Sequence, residues 1–322
     1  MPNTEYQLVA DIGGTNARFA LIDSSGELNH IKVLTAQRFG QFIDALADYL
    51  HSLNIRQVKA AAIAVAAPVH QQTFSFANSH WQINKQQIAN HLDCSPLWMN
   101  DFAAQALGVS QITQQLNIKL GDSHPTGNKL IIGPGTGLGV AGLVYCNSRW
   151  VPIVGEGGHA GFSPVDELAQ EVLAILMKKN TYVAWEHLIS GNGLPLLYKT
   201  VGEILSLPTK LDSAPSITQA AFANNMTSRD PAAVHTMSLF FRQLGHICAS
   251  AAFIMGATGG IYLTGGILPK VKQPLIDSDF LAAFHLHNSP KNYLNNIPIT
   301  LNLDELLGLR GAQLALDEQP LT

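Results

Sequence analysis

The sequence predicts a two-domain α/β protein, and three observations lead to this fold class. The chain has 322 residues, about twice the length of a typical domain. Segments with strand periodicity alternate with segments of helical periodicity. One glycine-rich hairpin pattern occurs twice, first around Gly13 and again around Gly135. The separation between Gly13 and Gly135 is too long for a solenoid repeat and is expected of two related domains.

The first third of the chain reads as a hairpin, a helix and a strand. Residues 7–22 alternate apolar and polar positions on both sides of Gly13 and Gly14, which is typical of two strands joined by a tight turn. An amphipathic helix follows, because apolar residues recur there at three-and-four spacing: Phe39, Phe42, Ile43, Leu46, Leu50 and Leu53. The apolar run ending at Pro68 predicts a strand buried on both faces, although its small residues would also suit a helix.

The second hairpin pattern opens the remainder of the chain. Apolar runs flank the glycine-rich segment 133–139, and helices are expected at 167–179 and 231–255. The first of these helices has acidic residues in its first turn and lysines in its last, which suits the helix dipole. Residues 206–215 are expected to form a loop, and a last helix is expected near 305–316.

Composition excludes several classes of protein. Apolar residues make up 47% of the chain and charged residues 13%, so disorder is not expected. The net charge is -4 and the basic residues are scattered, which argues against a nucleic acid partner. The longest apolar runs, 60–67 and 247–255, are shorter than the roughly 20 residues of a membrane span. Because the N-terminal segment does not resemble a signal peptide, the protein is expected in the cytoplasm. The three cysteines, Cys94, Cys146 and Cys248, are expected to be buried apolar residues.

Two glycine-rich turns are candidate phosphate sites. In Asp11-Ile12-Gly13-Gly14-Thr15-Asn16, backbone N–H groups can approach an anion closely, although an ordinary hairpin turn explains the glycines equally well. The segment 133–139 has four glycines in seven positions. It is followed by a strand pattern, which argues against a Rossmann site, and the chain has no Walker sequence. A third, weaker candidate is Thr264-Gly265-Gly266, which follows a short apolar strand.

Polar residues at two other places could bind a sugar. Asn100 and Asp101 lie between a strand and a helix, where Asp101 could accept a proton from a sugar hydroxyl, or where both could simply cap the helix. Glu156 and His159 lie in a glycine-rich frame, and Glu186 follows some thirty positions later. Together they offer hydrogen-bond donors and acceptors, although each alone is more often structural. A metal site at Glu156 and His159 would lack a third ligand.

The order and spacing of these segments resemble, over essentially the whole chain, the bacterial glucokinase family of hexokinase-like enzymes. That family has the two-lobed actin-like ATPase (ribonuclease H-like) fold, with a mixed sheet in each lobe and the active site in the cleft between them. The resemblance implies a small domain at 1–111, completed by a C-terminal helix within 303–322, and a large domain at 112–302. It also implies a homodimer.

The resemblance also implies an activity and its residues. The segments ADIGGTNAR, GPGTGLG and YLTGG match the two phosphate hairpins and the adenosine site, so Mg²⁺-ATP is expected as a ligand. The implied nucleotide contacts are Ala10, Asp11, Ile12, Gly13, Gly14, Thr15, Gly133, Gly135, Thr136, Gly137, Gly265 and Gly266, with Asp11 holding Mg²⁺ through water. Asn100, Asp101, Glu156, His159 and Glu186 fall on the sugar-binding positions, and Asp101 also on that of the catalytic base.

The implied reaction is transfer of the γ-phosphoryl group of ATP to the 6-hydroxyl of glucose, as the entry to glycolysis. Two departures from the family pattern stand out. Pro134 replaces a small residue and is expected to stiffen the second hairpin, and no cysteine lies near His159, which indicates the branch without zinc. The alternative is a kinase for another hexose, such as mannose or an N-acetylated amino sugar. A sugar-responsive regulator or an ATPase acting on proteins explains the segments less well.

Overall fold

The computed structural model describes residues 6–67, 69–76, 79–286 and 290–317. Within these ranges the strands are β1 (Gln7–Ile12), β2 (Asn16–Ile22), β3 (Leu28–Thr35), β4 (Ala60–Val65), β5 (Thr73–Ser75), β6 (Gln82–Asn84), β7 (Leu97–Asn100), β8 (Gln115–Lys119), β9 (Lys129–Pro134), β10 (Leu138–Cys146), β11 (Arg149–Val154), β12 (Ile261–Leu263) and β13 (Ile299–Asn302). The α-helices are α1 (Phe42–Ser52), α2 (Lys85–Leu92), α3 (Asp101–Gly108), α4 (Glu167–Met177), α5 (Leu194–Leu205), α6 (Ala214–Ala221), α7 (Pro231–Met255), α8 (Lys272–Ile276), α9 (Phe280–Phe284) and α10 (Leu307–Asp317). The predicted α/β class is therefore confirmed.

The chain forms two compact units, each with its own apolar core. The first unit comprises Met1–Thr113, Trp150–Val154 and Asp304–Thr322, and the second comprises Gln114–Arg149 and Gly155–Leu303. Of the predicted C-terminal segment, α10 covers Leu307–Asp317, and residues 318–322 lie outside the described residues.

The first unit contains a five-stranded sheet in the order β3-β2-β1-β4-β7. β1 and β2 form the predicted antiparallel hairpin, whereas β4 pairs in parallel with β1, and β7 with β4. Residues 61–65 of β4 are all buried. The small apolar run is therefore a strand rather than a helix, and Pro68, where the predicted run ended, lies outside the described residues.

The first amphipathic helix begins at Phe42 rather than at Phe39. Phe39 instead ends a short 3₁₀ turn, and the backbone N–H of Gln41 donates to Asp44 Oδ2 at 3.0 Å to cap the helix. The buried side of α1 stacks Phe42 and Tyr49 on Phe19 of β2, with ring centroids 6.1 and 5.1 Å apart. The predicted apolar face is therefore packed against the sheet.

The helix α10 closes the first unit by packing on α3. The two helices approach closely because glycine stands at the contact. A Cβ at Gly311 would lie 1.6 Å from the carbonyl oxygen of Ala104, and a Cβ at Gly108 would lie 2.3 Å from that of Leu307. Any side chain at either position would force the helices apart.

A buried carboxylate, Asp304, holds the chain just before α10. Asp304 is 6% exposed, and its Oδ2 accepts hydrogen bonds from Thr113 Oγ1 and Arg310 Nε, both at 2.8 Å. Its Oδ1 accepts the Leu306 N–H at 2.9 Å. Burial alone would raise the pKa of Asp304, but these hydrogen bonds and the Arg310 charge outweigh burial and lower it.

The second unit repeats this strand topology. Its strands include β10-β9-β12-β13-β8 in this order. β9 and β10 form an antiparallel hairpin, β12 pairs in parallel with β9, and β13 pairs in parallel with β12. An antiparallel hairpin followed by two parallel strands is also the order β2-β1-β4-β7 of the first unit. This shared topology accounts for the repeated hairpin pattern in the sequence.

The long helix α7 forms the centre of the second core. It is the one helix within the described ranges that is long and apolar enough to cross a membrane, with a mean hydropathy of 1.2 over an 18-residue window. The apolar runs counted in the sequence are shorter than this helix, because Thr236, Gln243 and His246 interrupt the runs without ending the helix. Inside the protein 67% of that window is buried, which is typical of a core helix.

The cysteines differ from one another in their surroundings. Cys248 is buried in α7 as expected, Cys94 is half-buried, and Cys146 at the end of β10 is exposed. The expectation that all three are core residues is therefore wrong for Cys146, because β10 extends beyond the core at its last residues.

Candidate functional site

The first hairpin places a tight glycine turn directly after Asp11 and Ile12. The turn is closed by a hydrogen bond of 2.9 Å from the Gly13 N–H to the Asn16 carbonyl oxygen. Ala10 and Ile12 point into the core and are 0% exposed. Gly14 and Thr15 complete the turn between the two strands. The hairpin thus presents its backbone at the turn, while the strand residues before it anchor it in the core.

The Asp11 carboxylate lies in a confined position in the first unit. Arg18 faces it across the hairpin, with Nη1 3.7 Å from Asp11 Oδ2. Gly308 of α10 lies against the same carboxylate, because a Cβ there would be 2.7 Å from both Asp11 Cγ and Oδ2. Burial raises the pKa of Asp11, and the positive charge of Arg18 partly opposes this rise.

The second hairpin has an even tighter turn, which the third glycine-rich segment supports. The Gly135 N–H donates to the Gly137 carbonyl oxygen at 2.8 Å, and Thr136 lies between them. Gly265 has φ +84°, and a Cβ there would lie 2.5 Å from the Pro134 carbonyl oxygen. The structure therefore brings the segments around Gly135 and Gly265 into direct backbone contact.

The residue Gly133 shows how close this approach is. A Cβ at Gly133 would lie 2.4 Å from Thr264 Oγ1 and 2.9 Å from the Gly265 backbone nitrogen. The Thr264 N–H donates to the Ile132 carbonyl oxygen at 2.9 Å. Gly266 follows with open space at its Cβ position. The glycines at 133 and 265 therefore allow two backbones to pack without side chains between them.

Three of the predicted sugar-binding residues form one cluster in the second unit. His159 Nε2 lies 3.9 Å from Glu156 Oε2 and 3.9 Å from Glu186 Oε1. Both acids are carried by short 3₁₀ segments, Gly157–His159 with Glu156 as its N-cap, and Trp185–His187. The cluster is open to solvent, since the His159 side chain is 58% exposed and that of Glu156 is 81% exposed. It offers carboxylate acceptors and an imidazole to a polar ligand.

The Glu186 side chain links this cluster to the second hairpin. Its Oε2 accepts the Leu138 N–H at 2.7 Å, directly after the turn. A Cβ at Gly137 would lie 2.3 Å from the same oxygen, so only glycine leaves room for the carboxylate there. Further along, the Gly191 N–H donates to the Gly135 carbonyl at 2.7 Å, and the Asn192 N–H donates to the Thr136 carbonyl at 3.1 Å.

Asn100 and Asp101 stand where the sequence placed them, at the end of β7 and the start of α3. Asn100 is the helix N-cap, since its Oδ1 accepts the N–H groups of Phe102 at 2.9 Å and Ala103 at 3.3 Å. Asp101 Oδ1 also accepts the Phe102 N–H at 2.9 Å. The capping interpretation is thus correct for Asn100, whose amide nitrogen is still able to donate to a ligand.

Two groups of supporting residues were not predicted from the sequence. Gly308 and the pair Gly191 and Asn192 contact candidate site residues that are distant in the sequence. The run Gly191-Asn192-Gly193 indicates a turn, but no local pattern shows that the turn docks on the second hairpin. No group of three or more His, Cys, Asp or Glu side chains is arranged so that it could hold a metal ion in the part of the chain that the structure describes.

Comparison with known proteins gives consistent matches over the whole chain. A family model described as Glucokinase matches residues 8–319. A glucokinase of Hahella chejuensis is 38% identical over 323 aligned positions, which cover 99% of each chain. Among solved structures, a glucokinase from an Antarctic psychrotroph has a TM-score of 0.84 and 30% identity, and 98% of this chain and 99% of that one are covered. The glucokinase of Balamuthia mandrillaris, solved in complex with glucose, shares the fold, with a TM-score of 0.79, 22% identity, and 96% of this chain and 93% of that one covered.

These matches confirm the resemblance and the actin-like ATPase fold that it implied. The family model begins inside β1 and ends after α10, so it includes both glycine hairpins, the acidic cluster on His159 and the Asn100-Asp101 pair. The identity of 38% with the Hahella chejuensis glucokinase extends over 99% of both chains, so the two proteins share their sequence as well as a fold. This chain therefore belongs to the glucokinase family.

Proposed function

We propose that this protein transfers the γ-phosphoryl group of ATP to the 6-hydroxyl of D-glucose, giving glucose 6-phosphate and ADP. The observation that carries the proposal is the position of Glu186. One of its oxygens lies 3.9 Å from His159 Nε2, and the other accepts the Leu138 N–H at 2.7 Å. A cluster suited to sugar hydroxyls is thus bonded to a glycine hairpin suited to phosphates.

In this proposal the sugar is selected by hydrogen bonds. Glu156, His159 and Glu186 supply carboxylate acceptors and an imidazole, and the Asn100 amide supplies a further donor. A site built to bond particular hydroxyls rejects sugars that leave its polar groups unpaired. Glucose is the hexose that the family name favours.

Asp101 is the proposed general base. In the proposed step the 6-hydroxyl oxygen forms a bond to the γ-phosphorus, and the bond from that phosphorus to the β,γ-bridging oxygen breaks, so that ADP leaves. Asp101 takes the hydroxyl proton and later gives it to solvent. General-base catalysis of this kind contributes about 10²–10⁴-fold to the rate.

The nucleotide is proposed to lie on the two hairpins and the Gly265-Gly266 turn. Their backbone N–H groups suit phosphate oxygens, and positioning supplies much of the catalysis in such transfers. Asp11 fits a magnesium ion that arrives with ATP, because Mg²⁺ keeps several waters and needs only one or two carboxylates. Such an ion neutralises charge on the phosphates. We further propose, on the family resemblance, that the protein is a cytoplasmic homodimer, which sedimentation velocity and cell fractionation would test.

The test is ADP release from Mg²⁺-ATP by the purified protein, without sugar and with glucose, mannose, fructose or N-acetylglucosamine in separate reactions. Release that depends on glucose, with product phosphorylated at the 6-hydroxyl by NMR, is the expected result. If ADP release depends mainly on another hexose, that hexose is the substrate in place of glucose, and the proposal that the protein is a sugar kinase stands. Release that is equal with and without every sugar would overturn the proposal.

A further inference from the structure

The carboxylate of Glu186 occupies a position that sugar binding alone does not explain. Its Oε1 faces the cluster on His159, but its Oε2 points the other way and accepts the Leu138 backbone N–H at 2.7 Å. Leu138 is 4% exposed and is the first residue after the tight turn of the second hairpin. A charged acceptor on a buried N–H is among the stronger hydrogen bonds of a protein.

The Glu186 carboxylate can lie in this position because residue 137 is a glycine and has no side chain. A Cβ at Gly137 would lie 2.3 Å from Glu186 Oε2 and 3.0 Å from its Cδ, so a side chain there would displace the carboxylate. The Glu186 side chain is 30% exposed, compared with 81% for Glu156. Glu186 is thus the more enclosed of the two acids that flank His159.

The same chain segment holds the turn at two more points. The Gly191 N–H donates to the Gly135 carbonyl oxygen at 2.7 Å, and the Asn192 N–H donates to the Thr136 carbonyl oxygen at 3.1 Å. Ser190 ties the segment together, because its hydroxyl donates to the Glu186 carbonyl oxygen and accepts the Gly193 N–H. Residues 186–192 therefore form a bracket with three hydrogen bonds to residues 135–138.

We infer that Glu186 is a positioning residue for the nucleotide hairpin, in addition to its proposed contact with sugar. The bracket fixes the backbone of residues 135–138, within which the N–H groups of Thr136 and Gly137 are proposed to meet the phosphates of ATP. The inference rests on the proposed function and adds one property to it. The same side chain sets nucleotide affinity when no sugar is present, so sugar and nucleotide binding are linked through one residue.

The experiment measures ADP binding, with Mg²⁺ and without sugar, by calorimetry on the full-length protein. Glu186→Ala removes the acceptor of the Leu138 N–H and is expected to weaken ADP binding about tenfold, which is ~1.4 kcal/mol. Glu186→Gln keeps a side-chain oxygen for that N–H and is expected to bind ADP within about twofold of the unaltered protein. This pair separates loss of the hydrogen bond from loss of the negative charge.

The matched control is Glu156→Ala, since Glu156 lies at the same 3.9 Å from His159 Nε2 and its carboxylate is mostly in solvent. It should leave ADP affinity unchanged and raise only the KM for glucose, whereas Glu186→Ala should raise the KM values of both ATP and glucose. Circular dichroism tests whether Glu186→Ala folds. If it does not, Glu186→Asp is used in its place, because the shorter side chain withdraws the carboxylate from the Leu138 N–H.

The outcomes separate the two claims. ADP binding by Glu186→Ala, or by Glu186→Asp in its place, equal to that of the unaltered protein overturns this inference and leaves the proposed function standing. Equal weakening in Glu186→Ala, Glu186→Gln and Glu156→Ala would also overturn it, because charge rather than the hydrogen bond would be responsible. Failure of the unaltered protein to bind ADP at all would overturn both the inference and the proposed function.

Discussion

Replacement of Gly308 by alanine should slow the proposed reaction by moving the Asp11 carboxylate. The new Cβ would lie 2.7 Å from both Asp11 Oδ2 and Cγ, whereas ordinary contacts begin near 3.4 Å. The carboxylate must therefore move by about 0.7 Å if α10 stays in place. A 1 Å misplacement can cost about 10²-fold in rate, so a loss of roughly 10- to 100-fold in kcat is expected, or ~1.4–2.7 kcal/mol.

The assay is the rate of ADP release at saturating ATP and glucose, recorded over a range of Mg²⁺ concentrations. Gly308→Ala should lower kcat and raise the Mg²⁺ concentration needed for half-maximal rate, while the Kd for glucose stays unchanged. Gly40→Ala is the matched control, because its Cβ would lie 3.7 Å from the Asp44 carboxylate, which is ordinary contact.

Stability must be followed in parallel, because overpacking typically costs about 1–3 kcal/mol and the better helix propensity of alanine returns up to ~1 kcal/mol. Unfolding in urea measures this difference directly. If Gly308→Ala keeps the kcat and the Mg²⁺ dependence of the unaltered protein, then the Asp11 carboxylate is not held by α10 in a way that matters for catalysis.

Three further predictions concern the first unit. Asp101→Asn should keep glucose binding by calorimetry and lose about 10²–10⁴-fold in kcat, and an unchanged kcat would remove Asp101 from the role of base. Asp304→Asn should destabilise the fold at neutral pH, because the hydrogen bonds from the Leu306 N–H and Arg310 and the Arg310 charge, which lower the pKa of Asp304, stabilise its ionised form in the native state. The difference in unfolding free energy should shrink as the pH falls below 3.8 toward the lower folded-state pKa, and a difference independent of pH would contradict the ion-pair account. Gly311→Ala should cost at least ~3 kcal/mol in urea unfolding, because its Cβ would lie 1.6 Å from the Ala104 carbonyl oxygen, and a cost below 1 kcal/mol would show that the helices can separate freely.

The local elements of this fold could be predicted from the sequence because their causes are local. The glycine pair after β1 and the glycines after β9 favour two tight turns through local backbone freedom. The start of α1 was misplaced by three residues, because Phe39 fits the apolar periodicity while the cap at Gln41 is not one of the usual capping residues.

The support of the candidate site could not be predicted in the same way, because it depends on contacts between distant residues. The bond from Leu138 to Glu186 joins residues 48 positions apart, and Gly308 meets Asp11 from the other end of the chain. Periodicity and turn chemistry carry no information on such pairs. The resemblance to a known family predicts Glu186 as a sugar-binding residue, but its hydrogen bond to Leu138 is seen only in the structure.

The packing of α10 on α3 has a consequence for biosynthesis. These helices belong to one compact unit, yet the ribosome makes all of residues 114–303 between them. The nascent first unit therefore emerges with the small-residue face of α3 uncovered, and the Asp11 carboxylate lacks the neighbour that confines it. Most of residues 114–303 leave the exit tunnel before α10 does, and domains generally fold as units, the N-terminal ones first. Maturation of the first unit thus waits for the synthesis of α10, and a chain that stops before residue 307 would have a nearly whole second unit and a first unit left open.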